Sequence, residues 1–265
     1  MLIAKAAARR GGLATVALGL AVGFAGCKND SLAAPETGVE YYPVAVGSFW
    51  TYAVVDSTWS VAAGQGSQLT PSVATRVTYQ FKERITEIFT DAAGKPAYRL
   101  VRSKLLAPAT AFVDDSVFVL SATPQAVILN RNNARTLELV FPVKDGRLWN
   151  FNAYNNNLND TIIAETRRYS RVGQPYTTGV TPGSPARTYA ATLTTTNTGA
   201  AAENSVVKRF GYEQVFAKGV GPVFRNRYVF LPYTYVASNG TQVYPAGAYS
   251  VGFSRRETLV DYGPR

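Results

Sequence analysis

The residues able to do chemistry in this chain are few, and their types narrow what it can do. No histidine occurs, and Cys27 is the only cysteine. Ser-His-Asp and Cys-His catalysis are therefore closed to it. The usual nitrogen and sulfur ligands of transition metals are missing as well, and no cofactor is implied. Hydrolysis would have to rest on carboxylates alone or on a Ser-Lys pair. Glu83, Glu87, Asp114 and Glu213 are the carboxylates that such an enzyme would bring together in one cleft. Asp114-Asp115 is the one adjacent acidic pair. Neighbours on a strand point to opposite faces and do not converge on one atom, so the pair reads as a solvated loop. Lys218-Gly219-Val220-Gly221 holds a Gly-x-Gly, but no helix pattern follows to complete a phosphate cradle. It reads as a bulge or tight bend leading into a strand.

Recognition by aromatic groups is the other chemistry on offer. Trp50 and Trp149 sit in apolar stretches and read as core, whereas Trp59, in Ser57-Thr58-Trp59-Ser60, reads as the more exposed one. The stretch Trp149-Asn150-Phe151-Asn152-Ala153-Tyr154-Asn155-Asn156-Asn157 mixes rings with amides. That mixture suits either glycan recognition or a turn whose amides cap backbone groups, and the turn is the preferred reading.

The elements positioning these residues read as strands. Val77, Tyr79, Phe81, Ile85 and Phe89 alternate with polar neighbours, the pattern of a strand with one buried face. Glu83 and Glu87 interrupt that face. Asp91–Pro96 makes a turn and 97–106 returns. Further strands are expected at 116–121, 126–130, 136–141, 161–169, 188–196, 205–210, 221–230 and 247–260. The best helical candidate is the short stretch 212–218. The fold expected is all-β, an antiparallel sandwich or a curled, barrel-like sheet, forming a single domain over residues 41–265.

The N-terminus has the parts of a secretory signal. Lys5, Arg9 and Arg10 form a positive n-region, followed by an apolar run from Leu13 to Ala25. That run has the length of a signal core and falls short of the roughly 20 residues a membrane span needs. Residues 1–26 thus read as a signal peptide ending in Phe24-Ala25-Gly26, with a lipobox-type junction before Cys27. A diacylglycerol thioether on Cys27 and an acyl chain such as palmitate on its freed amine would give stable anchoring. Residues 27–40 are small, polar and Pro/Gly-containing, as in a flexible tether. Loss of the signal leaves 24 basic against 17 acidic residues, lowering the net charge from +10 to +7. These charges are spread along strands without the runs that mark nucleic-acid binding, so no nucleic-acid partner is expected.

Several blocks together resemble a group of Bacteroidota lipoproteins of unassigned function. They are Tyr42-Pro43-Val44-Ala45-Val46-Gly47-Ser48-Phe49-Trp50-Thr51-Tyr52, Phe141–Gly146 with Trp149–Asn155, Tyr212–Val223 including Phe216-Ala217-Lys218-Gly219-Val220-Gly221-Pro222-Val223, and the ending Thr258–Gly263. In the middle block Phe151 stands where a glycine is usual. The resemblance implies export and lipid anchoring to the outer membrane. It supplies no catalytic residue. In that lineage Lys28-Asn29-Asp30 is a weak surface-export signal, leaving surface display and periplasm-facing attachment both open. The resemblance also implies O-glycosylation at Asp-Ser/Thr motifs, here at Ser31, Ser57, Ser116 and Thr161, with Ser31 in the tether the expected site. The function expected is a non-catalytic binding or assembly module whose partner is an envelope protein or glycan; the alternative is a carboxylate-dependent envelope hydrolase.

Overall fold

The computed structural model describes residues 37–155, 164–199 and 202–264. Cys27, Ser31, Thr161, the signal stretch and the tether up to residue 36 lie outside the described residues, whereas 37–40, expected as tether, are bonded to the barrel. The strands are β1 (Phe49–Trp59), β2 (Ala74–Thr90), β3 (Pro96–Leu105), β4 (Val113–Ala122), β5 (Ala126–Arg131), β6 (Ala134–Val140), β7 (Leu148–Asn150), β8 (Thr166–Thr177), β9 (Thr188–Asn197), β10 (Glu203–Asn204), β11 (Arg209–Ala217), β12 (Gly221–Pro232), β13 (Tyr235–Val236), β14 (Gln242–Val243) and β15 (Tyr249–Gly263). Val39–Tyr41 and Gly66–Gln68 are single 3-10 turns, and no α-helix occurs among the described residues. The protein is all-β.

Apart from the small β13–β14 pair, the strands form one antiparallel sheet in the order β6-β5-β4-β3-β2-β1-β15-β12-β11-β9-β8-β7, with β10 appended to β11. It consists of two meanders joined through the C-terminal strand β15, which pairs with both β1 and β12. Register shifts at Thr51/Tyr52, Ile85/Glu87, Arg102/Ser103, Val127/Ile128 and Val215/Phe216 mark bulges across the sheet. Each adds local twist, and together they curl it.

The curl brings the first and last strands face to face, and side chains bridge them where a strand ladder would otherwise run. Along the outer edge of β6, Arg135 N–H donates to Asn155 Oδ1 at 3.1 Å while Asn155 Nδ2 donates to Arg135 O at 2.7 Å. Leu137 N–H donates to Phe151 O at 2.9 Å, and Trp149 Nε1 donates to Leu137 O at 2.9 Å. The Tyr169 hydroxyl accepts from Val140 N–H at 2.7 Å and donates to Val140 O at 3.0 Å. An open edge exposes unpaired backbone groups; here the edge is satisfied and the sheet is nearly closed into a barrel.

The interior alternates with the outside as strand pleating requires. Trp50, Tyr52 and Val54 of β1 point inward with Phe81, Ile85, Leu100, Leu120, Leu129, Leu193, Phe216 and Leu259, all buried. Ahead of β1, Tyr41 and Tyr42 are buried against this core, and the Tyr42 ring lies 5.8 Å from Trp50 and 5.9 Å from Phe216. Glu40 O accepts from Gly219 N–H, and Thr37 O from Val143 N–H, tying the segment to the β11–β12 turn and the β6–β7 connection. Trp50 and Trp149 are buried, as their contexts suggest, and Trp59 is half-buried.

Three local expectations need correction. Residues 212–218 belong mostly to β11 rather than a helix, because Tyr212, Gln214 and Phe216 serve one face of a strand. Asp114 and Asp115 lie within β4, not in a loop, and are ion-paired to Arg84 and Arg102 respectively. The stretch 205–210 is largely a turn between β10 and β11, with the Ser205 hydroxyl accepting from Val207 and Lys208 N–H. The Gly-x-Gly segment forms the β11–β12 bend, with Gly219 and Gly221 both at positive φ. The described part of the asparagine-rich stretch after β7, residues 151–155, is a turn: Asn150 Oδ1 accepts from the N–H groups of Asn152 and Glu165.

Candidate functional site

The barrel interior is unusual in what it buries. Cross-strand pairing aligns Tyr79, Val54, Glu257, Arg225, Gln214 and Thr195 along one inward row. At its centre the Arg225 guanidinium binds two carboxylates. It donates to Glu83 at 3.1 and 3.3 Å and to Glu257 at 3.0 Å. Burial opposes the charge on Glu83, but Arg225 outweighs it and holds the carboxyl below its ordinary value. Nearby, Arg131 pairs with the buried Glu138 at 3.2 Å, and the Thr136 hydroxyl adds a bond to the same carboxylate. Arg167, 3% exposed, pairs with Glu165 at 2.8 Å and is clamped between the Phe151 and Tyr212 rings at 3.3 and 3.9 Å. Toward the far end of β1, Arg255 makes two 2.7 Å bonds to Asp56, which also accepts from the Tyr79 hydroxyl.

This arrangement decides what the candidate carboxylates can do. Desolvating ions is costly and is offset only by close pairing; these groups are neutralised in place by arginine. A general acid needs a raised pKa, and Glu83 is shifted the other way. Glu87 is a surface partner of Arg99 at 3.0 Å, and Asp114 a surface partner of Arg84 at 2.8 Å. Of the four candidates only Glu83 meets another carboxylate, Glu257, and Arg225 stands between them.

Glu213 is different. It lies on the outer face of β11, half-buried, and its carboxylate makes no hydrogen bond or ion pair to a described residue. Burial pushes its carboxyl up from the ordinary glutamate value, although Arg171 and Arg256 partly offset this. Its row runs Thr196–Glu213–Asn226–Arg256–Val55 across five strands. The next row is Gly211–Tyr228–Ser254–Ser57. Two recesses open over these rows. One, about 490 Å³, is lined by Glu213, Asn226, Tyr228 and the β10 turn. The other, about 270 Å³, is lined by Arg76, Arg256, Ser254 and the 180–182 loop. Asn226 lines both, so the two recesses adjoin, and together they are called the outer groove. Its polar side chains are of the kind that fix a ligand's orientation.

The desolvated Glu213 gives a direct check. Its raised folded-state pKa lowers stability as pH rises through the unfolded value of 4.5, and fully once above the folded one. Glu213→Gln is therefore expected to raise the melting temperature at pH 7 and to leave it unchanged at pH 3.5, read by thermal denaturation at both values.

Sequence reading singled out Glu213 and Trp59 on this face but not Tyr228, Asn226 or Arg256. The available signal was Gly211 and Gly252, isolated glycines inside strands, which mark a close approach of another group. Ser57 is 7% exposed, which removes it as a position for modification after folding. No protein-family model matches this chain, and no curated protein is similar to it.

Proposed function

We propose that this chain is an exported lipoprotein, anchored to the outer membrane through Cys27, whose barrel binds a ligand or assembly partner without catalysing a reaction. The observation that carries the non-catalytic part is the ion-paired interior: Glu83 and Glu257 both bound by Arg225, Glu138 bound by Arg131 and Asp56 bound by Arg255. Carboxylates held in this way anchor a fold better than they shuttle protons. The outer groove, with its amides, hydroxyls and unpaired charges, supplies the binding surface. The anchor rests on the Lys5–Arg10 n-region, the apolar run and the small residues before Cys27.

The anchor is tested by detergent phase separation. The native chain is expected in the detergent phase, and Cys27→Ser in the aqueous phase, since two or more acyl chains are what make attachment stable. Mass spectrometry of the N-terminal peptide is expected to show acyl chains on Cys27 and a glycan on Ser31. Cys27→Ser partitioning with the native protein would refute the anchor, and a bare Ser31 the glycan.

A further inference from the structure

Resting on the binding reading above, we propose that the outer groove binds an acidic oligosaccharide, its sugar rings stacked on Tyr228 and Trp59 and its acidic groups paired with Arg256 and Arg76. The aromatic surface carries the first half. Tyr228 pairs across the sheet with Gly211, and Trp59 with Gly252. A Cβ on Gly211 would lie 2.4 Å from the Tyr228 ring, and one on Gly252 would lie 2.6 Å from the Trp59 side chain. Each aromatic side chain thus sits beside a neighbour-strand position where a side chain is absent, and both are half-buried. Phe230 stands between them, 6.3 Å from Tyr228 and 4.8 Å from Trp59, with Tyr249 5.0 Å from Phe230. These rings share the outer face and extend from the groove floor along the β1–β15–β12 strands. A ring fixed this way offers an apolar, electron-rich plane at low entropic cost. That suits the C–H face of a sugar, while Asn226, Ser254 and Thr196 can meet its hydroxyls.

Charge carries the second half. The Arg256 and Arg76 side chains line the smaller recess and form no side-chain hydrogen bond or ion pair with a described residue, although Arg256 lies close enough to Glu213 to act on its carboxyl. Arg209 adds a third cation, 5.4 Å from the Phe230 ring centroid. Of the two acids along the groove, Glu203 is already engaged with Lys208 at 3.9 Å and with Ser205. Glu213 is the other, so Arg76, Arg256, Arg209 and Lys208 stand against two carboxylates and the groove is net basic. Unpaired guanidinium groups beside stacking rings match carboxylate or sulfate on a sugar chain.

The test is titration of the purified chain with hexagalacturonate, a heparin hexasaccharide and neutral maltohexaose, followed by calorimetry and tryptophan fluorescence. Trp59 is the tryptophan positioned to report, since Trp50 and Trp149 are buried. At least one acidic probe is expected to bind about tenfold more tightly than maltohexaose and to weaken with salt. Tyr228→Ala and Arg256→Gln should each lower acidic-probe affinity by about five- to tenfold. Gly211→Ala, which drives the tyrosine ring off the strand, should do the same while Tyr228 remains. Circular dichroism melting identifies any variant lost to unfolding. The proposal is overturned if neither acidic probe binds below about 10 mM, if maltohexaose binds as well, or if binding survives both Tyr228→Ala and Arg256→Gln. Release of new reducing ends in catalytic excess would instead overturn the non-catalytic reading while leaving the groove assignment standing.

Discussion

Replacing Arg225 with leucine is expected to destabilise the fold by about 3–5 kcal/mol at pH 7, and by much less near pH 4. The guanidinium is the shared partner of Glu83 and Glu257. Without it two carboxylates stay buried with no cation bound to them, and that penalty exceeds the net worth of the pairs themselves. In the native protein the Glu83 carboxyl is held below its ordinary value, so its contribution is present above about pH 4.5 and is lost as pH falls through the folded-state value. In the variant burial is opposed only by the weaker pull of Arg131 and Arg102 and raises the Glu83 carboxyl pKa, so acidification relieves the penalty by protonating it. The gap between native and variant therefore narrows from pH 7 toward pH 4. Replacing Arg225, Glu83 and Glu257 together with apolar residues should cost far less than the single change, because no orphaned charge remains. Urea denaturation of the three proteins at both pH values measures this. A loss independent of pH, with the triple variant as unstable as the single, would show that these charges are not coupled.

The second large effect is at the seam. Trp149→Ala is expected to cost about 3–5 kcal/mol, because it empties a buried ring site against Tyr169, 4.4 Å away, and frees the carbonyl of Leu137. Tyr169→Phe removes only a hydroxyl, yet it leaves both the N–H and the C=O of Val140 without their partner. Its expected cost is about 1–3 kcal/mol. Hydrogen exchange separates a seam effect from general loosening. Opening at β6 should speed exchange at Leu137 and Val140 before it touches the amides of β1 or β15. Uniform acceleration across the sheet would contradict a seam closed by side chains.

Strand content was legible because alternation is a local property. The β2 pattern from Val77 to Ile85 shows which face is buried, and the structure keeps it from Tyr79 to the bulge after Ile85, with Val77 exposed. Glu83 interrupts that pattern in the sequence, yet it faces inward as its position demands. What reconciles it with the interior is Arg225, 142 residues away, and no local rule links the two. The same holds for closure. Asn155, Trp149 and Tyr169 each find β6 only because several bulges add up to a curl, a sum that local spacing does not reveal. The run 212–218 is the best helical candidate only weakly, being short and set between Gly211 and Gly219. Its pairing with both β9 and β12 overrides that weak preference. The groove escaped notice for a further reason. Its floor is one residue from each of several strands, and its clearest local marks are the glycines beneath Tyr228 and Trp59.

The most direct test of the account is gentle detergent purification of the tagged native protein from its own cells, followed by intact and peptide mass spectrometry. The account predicts a chain beginning at acylated Cys27, carrying about one ligand or partner per barrel that stays chemically intact on prolonged incubation with the protein. A chain that leaves the detergent phase with Cys27 unmodified, or one that converts its co-purifying material to product over many turnovers, would contradict it.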